Sequence, residues 1–559
     1  MTAKPAEAAV EAMPPGAELS MLVDVGSAWT KAAVVARSRG RWRIVGQVAQ
    51  PTAWGEDELR AALVARMAGV ADQRVAERLA DLLGRAPRIA CHTPRRAGRL
   101  GLTAVSAELS GDAARRAAES AGWTVVEAAT ADDGRSLAAR LGALQAAEVD
   151  AWLLTGGFDD ARADQALEMA GLVAAARGVS RQPVIWAGSA LAAPEVALLF
   201  EDGAVATVAN PRPGPRAENA LPLRHALEEL LQRMVEPGGV RQLTPVSFRR
   251  AISELARSTL RRVLGVDLGA RYLSWVIADE DGSAESRVFA GGGLSAPSLV
   301  APGGPGRLAR SLPLAIDELA VADALQNLHA RPATLPQTDD ELAIMHAAAR
   351  YLLAQAAGDS GAPEGLDLLI GCGRTIAAAP RPAQAAQLLL DGVRPVGITQ
   401  LAVDGAGAMP PIGALEDGEI GEGMGVLRDD LLVPLGAAVV IRGGRSGQVA
   451  MKVAVHRTGW PDQAPVEVRS GQLQILPLGR GQAAELDIEL TPGVTLGGPR
   501  QGRRVHATVS GGAVGLMLDA RDTPLTLPRR SDDRRAVLAD WRDSFLREPM
   551  APSPAGDTA

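Results

Sequence analysis

The stretch that decides the fold runs Leu22-Val23-Asp24-Val25-Gly26-Ser27-Ala28-Trp29-Thr30-Lys31-Ala32-Ala33-Val34. Two apolar runs flank a short polar tip built on one glycine, the pattern of strand, tight turn and strand. Glycine lets backbone amides approach a phosphate closely, and the hydroxyls of Ser27 and Thr30 add donors. Asp24 at the strand end suits a hydrated Mg²⁺, and Lys31 suits the charge on β- and γ-phosphates. Taken alone, the segment also fits an ordinary β-hairpin. A second copy shifts the balance. Val263-Leu264-Gly265-Val266-Asp267-Leu268-Gly269-Ala270 leads into a further apolar run, Tyr272 to Ala278, and so repeats strand–Asp-x-Gly–strand in the middle of the chain.

Outward from these two units, strands alternate with helical patterns. Arg88 to Cys91, Thr124 to Val126, Ala151 to Leu154, Val184 to Ala187 and Leu366 to Ile370 read as strands, with amphipathic segments between them. That alternation predicts parallel α/β sheets covered on both faces. The period then changes to two, as in Val449/Met451/Val453/Val455 and Leu486/Ile488/Leu490, which predicts a small antiparallel β domain. The expected division is a tail over 1–19, a first lobe over 20–258 and a second over 259–404. A link over 405–429, a β-rich domain over 430–530, and a helix with a disordered end over 531–559 follow.

The chain has 559 residues, too many for one core. Hydrophobic residues are 47% and charged residues 22%, an ordinary globular composition, and the net charge of −7 argues against nucleic acid or anionic membrane as the main partner. Two cysteines, Cys91 and Cys372, exclude a disulfide framework and a four-thiolate zinc site. No apolar run is long enough for a transmembrane helix or a signal peptide, so the expectation is a cytoplasmic protein. Of 58 basic residues only Lys4, Lys31 and Lys452 are lysines. Where arginine is written almost everywhere, a lysine inside the polar tip marks a place that needs a compact point charge.

The duplicated Asp-x-Gly unit resembles the actin-like ATPase superfamily of acetate and sugar kinases, heat-shock chaperones and actin. The resemblance implies a two-lobed fold with duplicated ribonuclease-H-like lobes, followed here by a small antiparallel all-β domain. Within that superfamily, Asp24 to Lys31, Ala90-Cys91 to Thr103, Leu153-Leu154-Thr155-Gly156-Gly157-Phe158-Asp159 and Val184-Ile185-Trp186-Ala187-Gly188 resemble the accessory proteins of glutamate (methylaspartate) mutase, the MutL/GlmL-like family, over about residues 20 to 400. The resemblance implies a nucleotide-binding partner that maintains or reactivates an adenosylcobalamin-dependent mutase, using ATP and Mg²⁺ and binding no cobalamin itself. It implies roles as well. Asp24 and Asp267 become the catalytic and metal-side carboxylates, reaching Mg²⁺ through water. Gly26, Ser27, Thr30 and Lys31 grip the phosphates, Gly269 and Arg271 face them, and Gly371 and Gly373 form the adenosine turn.

One departure weakens turnover. Ala270-Arg271-Tyr272-Leu273-Ser274 stands where the family carries a second glycine, two threonines and an aspartate. Arg271 reads more readily as a surface cation than as a phosphate ligand. Binding is therefore expected ahead of rapid hydrolysis, with a non-hydrolysing scaffold as the first alternative, a small-molecule kinase next and a filament former last. The Arg95-Arg96-x-x-Arg99 cluster fits an anion or a solvated loop. Gly156-Gly157-x-Asp159 fits a ligand turn or a helix cap.

Overall fold

The computed structural model describes residues 18–38, 40–69, 73–94, 96–160, 163–179, 181–200, 203, 205–235, 242–361, 363–457, 464–497 and 502–547. The expected disordered ends fall almost wholly outside the described residues. Two compact units emerge from the backbone. One holds residues 1–93, 240–285 and 291–559; the other holds 94–239 and 286–290.

The first unit contains both Asp-x-Gly segments, and each opens a sheet in the same way. Leu19–Val25 pairs antiparallel with Trp29–Ser38 and parallel with Arg88–His92. Val263–Leu268 pairs antiparallel with Tyr272–Ala278 and parallel with Leu368–Cys372. The register repeats as well: Asp24 stands beside Cys91 on the parallel neighbour, and Asp267 stands beside Cys372. The chain's two cysteines thus occupy equivalent positions, both buried, in two copies of one motif. Strands of this kind are apolar on both faces because both faces are covered. The duplicated α/β fold expected from the sequence is what these pairings show.

A single amphipathic helix, Thr244–Thr259, lies in a core shared by the two sheets. Its Phe248, Ile252 and Leu255 pack with Leu22 and Ile89 of one sheet and with Val263 and Ile370 of the other. The stretch expected to be a link belongs to the same core. Asp404 ends the strand Gly397–Asp404, and the short helices Met409–Gly413 and Ile420–Val426 bury Met409, Ile412 and Met424. Its glycines gave it the look of a linker; they serve close packing instead. Gly413, for example, lies so near the helix that a Cβ would sit 1.8 Å from the Ser247 carbonyl oxygen.

The period-two region divides. Leu432–Val440 continues the second sheet, followed in order by Gly515–Asp519 and Leu473–Leu476. Val466–Arg469, Val449–His456, Ala483–Leu490 and Arg504–Ser510 form an all-antiparallel four-stranded sheet with its own apolar face. Period two predicts strands but not which sheet they join.

The second unit is a parallel five-stranded sheet in the order Trp123–Thr130, Gly98–Ala104, Ala151–Gly156, Val184–Gly188 and Val205–Thr207, with helices such as Asp164–Arg177 on its faces. It falls inside the span expected as one lobe over 20–258; the hairpin sheet keeps only the two ends of that span. No described helix is long and apolar enough to cross a membrane.

Candidate functional site

The two hairpin tips line one cavity of about 270 Å³ in the first unit. Its lining combines the polar side chains of Asp24, Ser27, Lys31, Asp267 and Ser274 with apolar ones such as Leu294, Leu335, Pro336 and Met345. A small volume lined by both ionic and apolar side chains suits a polyanion attached to a flat ring.

Antiparallel pairing puts Lys31 directly across from Asp24, and the ammonium Nζ lies 2.7 Å from Asp24 Oδ2. The other oxygen, Oδ1, accepts from the Thr244 hydroxyl at 2.8 Å and from the Cys91 thiol at 3.6 Å. Both oxygens of this buried carboxylate are therefore engaged. Burial opposes the Lys31 charge, but Asp24, Asp267 and Asp404 together outweigh it and raise its pKa. The turn after Asp404 covers the lysine stem: a Cβ on Gly407 would lie 2.4 Å from Lys31 Cδ.

Asp267 sits across from Ser274, which brings it no cation of its own. Its carboxylate has no hydrogen-bond partner among the described residues. Burial pushes its pKa up to about 6, with Lys31 pulling the other way and the charges of Asp24 and Asp404 adding to the rise. Asp404 differs again. It is fully buried, and its two oxygens accept from the amides of Ala406, Gly407, Ala408 and Met409. Burial raises its pKa too, against those amides and Lys31.

The turns have their own accounting. Gly26 N donates to Trp29 O at 3.0 Å and Gly269 N donates to Tyr272 O at 2.9 Å, so each glycine amide closes its turn. The amides of Ser27, Ala28 and Ala270 have no acceptor among the described residues and are available to a ligand. Gly373, with φ +87°, carries the chain past the second hairpin so closely that a Cβ would lie 2.1 Å from Leu268 O.

Asp24, Gly26, Ser27, Lys31, Asp267, Gly269 and Gly373 all line the cavity. Three other expected site residues do not. Strand alternation turns Thr30 to the opposite face, where its hydroxyl donates to Thr52 at 3.1 Å. Gly371 is inside the buried strand Leu368–Cys372, where a Cβ would meet Ile376 and Leu389. Arg271 is exposed on its turn and outside the cavity lining, as its reading as a surface cation anticipated.

Two residues at the cavity were missed. Arg374 follows Gly373 and stacks its guanidinium 3.9 Å above the Trp29 ring, joining the second half of the unit to the first hairpin tip. Its Nε is buried with no hydrogen-bond partner. His346 reaches the cavity from the helix Asp339–Ser360. Burial, aided by the Arg350 charge, holds its pKa down to about 4, so it is neutral at pH 7, and Nε2 has no partner. The glycine turn signalled Arg374; nothing in the sequence signalled His346.

Other candidates resolve into structure. Arg96 Nη2 donates to Asp150 at 2.7 Å and Arg99 pairs with Glu148 at 2.7 Å, an ion-paired loop; Arg95 lies outside the described residues. Asp159 accepts from Asn210 Nδ2 at 3.0 Å and ties a loop. Among the described residues no group of three His, Cys, Asp or Glu side chains is placed to hold a metal ion. Mg²⁺ bound to few carboxylates and to phosphate oxygens needs no such group, and the unpartnered Asp267 carboxylate fits that requirement.

Residues 20–272 match the family model described as MutL protein, which bears out the resemblance drawn from the sequence over that span. No curated protein matches the chain. Among solved structures, nucleotide-free acetone carboxylase is similar over 81% of this chain and 81% of its own, at 11% identity and a TM-score of 0.31. The Aquifex aeolicus PPX-GPPA enzyme is similar over 65% of this chain and 71% of its own, at 12% identity and a TM-score of 0.18. The ethanolamine utilization protein EutJ from Carboxydothermus hydrogenoformans is similar over 74% of this chain and 98% of its own, at 9% identity and a TM-score of 0.23.

Proposed function

We propose that this chain is a nucleotide-binding accessory protein of an adenosylcobalamin-dependent mutase system, holding ATP with Mg²⁺ between its two hairpin tips. One observation carries the reading: two separate strand–turn–strand units present Lys31 with Asp24 and Asp267 to a single cavity that also has apolar lining. Bound Mg²⁺ would supply charge neutralisation for the phosphates. Asp267, whose oxygens are unengaged, holds the hydrated ion, while Asp24 keeps the Lys31 ammonium aimed at the phosphates. The free amides of Ser27, Ala28 and Ala270 donate to phosphate oxygens, Arg374 adds a guanidinium, and the apolar lining takes the base.

The same geometry favours binding over fast turnover. Both oxygens of Asp24 are engaged, Asp404 is held by four amides, and Asp267 is committed to the hydrated ion, so none of the three is free to take a proton from water. Occupancy then acts by favouring one arrangement of the elements around the cavity, which a partner reads. The partner assignment rests on the family match over residues 20–272. It is tested by co-purification with a cobalamin-dependent mutase and by return of activity to inactivated mutase on adding this chain with ATP and Mg²⁺. Recovery with the wild type but not with Asp24→Asn supports the reading. A mutase that neither binds nor recovers contradicts the accessory role.

A further inference from the structure

A second cavity, of about 630 Å³, opens elsewhere in the first unit. Its lining carries Arg307, Arg350, Arg394 and Arg442 against a single carboxylate, Asp391. Beneath it lies a buried ionic cluster. Arg521, fully buried, donates through Nε and Nη2 to Asp519 at 3.0 and 2.7 Å, and Arg394 donates to the same carboxylate at 2.6 Å. Asp391 forms an ion pair with Arg521 Nη1 at 2.8 Å and lies 3.9 Å from Arg350 Nε.

The charges do not balance. Three guanidiniums, Arg350, Arg394 and Arg521, share the two carboxylates Asp391 and Asp519. Arg350 makes no hydrogen bond among the described residues, and its side chain is 18% exposed. Arg394 is 5% exposed, and its Nε has no acceptor. Burial lowers the pKa of both, the mark of cations that have left water without full compensation. At the mouth Arg442 is already paired with Glu364, at 2.5 Å, while Arg307 lies over the Tyr351 ring and bonds its hydroxyl. The remaining wall is apolar and aromatic, with Leu308, Tyr351, Leu525, Leu538 and Trp541.

A cation withdrawn from water with only a distant, shared carboxylate is costly, and an added anion would offset that cost. We propose that this cavity binds a small amphiphilic anion, a phosphate monoester or carboxylate joined to an apolar ring, with Arg350 and Arg307 taking the anionic head and Tyr351 and Trp541 flanking the ring. The site is separate from the nucleotide cavity and does not depend on that reading.

Phenyl phosphate is the probe, titrated calorimetrically into the full chain beside phenylacetate and inorganic phosphate. Phenyl phosphate is expected to bind saturably and to raise the thermal midpoint. It should bind about tenfold more tightly than inorganic phosphate, because burial of the ring adds to the head contact. The phenylacetate arm tells which head the arginines prefer. Arg350→Met removes the poorly paired cation and keeps its apolar stem. It should weaken phenyl phosphate about tenfold or more while leaving the unliganded protein at least as stable. Arg307→Gln, at an exposed position, should weaken it about threefold and guards against a folding failure of the first variant. Absence of saturable binding to wild type at about 10 mM, far above the micromolar-to-millimolar range of ordinary ligand sites, overturns the proposal. So does equal affinity for phenyl phosphate in wild type and both variants.

Discussion

The two hairpins share a backbone and differ in charge. In both, an aspartate stands next to last in the first strand, a glycine amide closes the turn and a buried cysteine stands beside the aspartate on the next parallel strand. Across the hairpin the first aspartate meets Lys31 and the second meets Ser274. The first tip is thus a complete ion pair, while the second is a carboxylate that shares its neighbour's cation at a distance. Sterics differ in the same direction. A Cβ on Gly26 would lie 2.5 Å from the Trp29 carbonyl oxygen, whereas one on Gly269 would lie 3.3 Å from that of Tyr272. The first tip is fixed in shape and charge; the second has more room in its turn and a carboxylate with no hydrogen-bond partner among the described residues.

Removing the shared cation should break this arrangement most severely. Lys31→Met leaves Asp24 and Asp267 buried without their counter-ion and should cost about 3–5 kcal/mol in urea denaturation, along with nucleotide binding. Lys31→Arg is not expected to rescue it fully, because a planar guanidinium does not reproduce the compact ammonium 2.7 Å from Asp24 Oδ2.

The glycine comparison comes next. Gly26→Ala should destabilise by about 2–3 kcal/mol, since the clash is with backbone, and Gly269→Ala by less than about 1 kcal/mol. Equal costs would show that the two turns are not as unequal as their spacing implies.

The open carboxylate should appear in pH dependence. Asp267 titrates near 6 in the folded protein and near 3.8 when unfolded, so the folded state holds the proton more tightly. Its contribution to stability is present below about pH 4 and is lost as pH rises through 6. The stability of Asp267→Asn relative to wild type should therefore rise by about 1–3 kcal/mol between pH 4 and pH 7. His346, lowered to about 4, slopes the opposite way in both proteins and cancels in the difference.

The smallest effect belongs to Thr30. With its hydroxyl on Thr52, Thr30→Val should cost about 1 kcal/mol of stability and leave nucleotide affinity unchanged. A tenfold loss of affinity would return Thr30 to the phosphate grip.

Much of this was legible in the sequence because local rules governed it. The Asp-x-Gly units, their flanking strands and the isolated Lys31 follow from short-range pattern and composition. Thr30 went astray on the period of two: next to Lys31, it necessarily faces the other side of the strand. Gly371 erred for a different reason: it was counted with Gly373, but the strand runs to Cys372 and buries Gly371 in the sheet, while Gly373 is already in the turn. Asp404 was hidden because glycine-rich sequence reads the same in a linker and in a turn pressed against a lysine stem. The helix Asp339–Ser360 presents His346 to one cavity and Arg350 to the other, an assignment made by tertiary packing alone.

The central claim is that the paired acidic tips bind nucleotide with Mg²⁺. Calorimetric titration of the full chain with ATP, with and without Mg²⁺, tests it most directly. Saturable heat at submillimolar nucleotide is expected, strengthened by Mg²⁺ and abolished in Asp267→Asn only as far as that strengthening is concerned. Absence of any saturable heat at millimolar ATP and Mg²⁺ would contradict it.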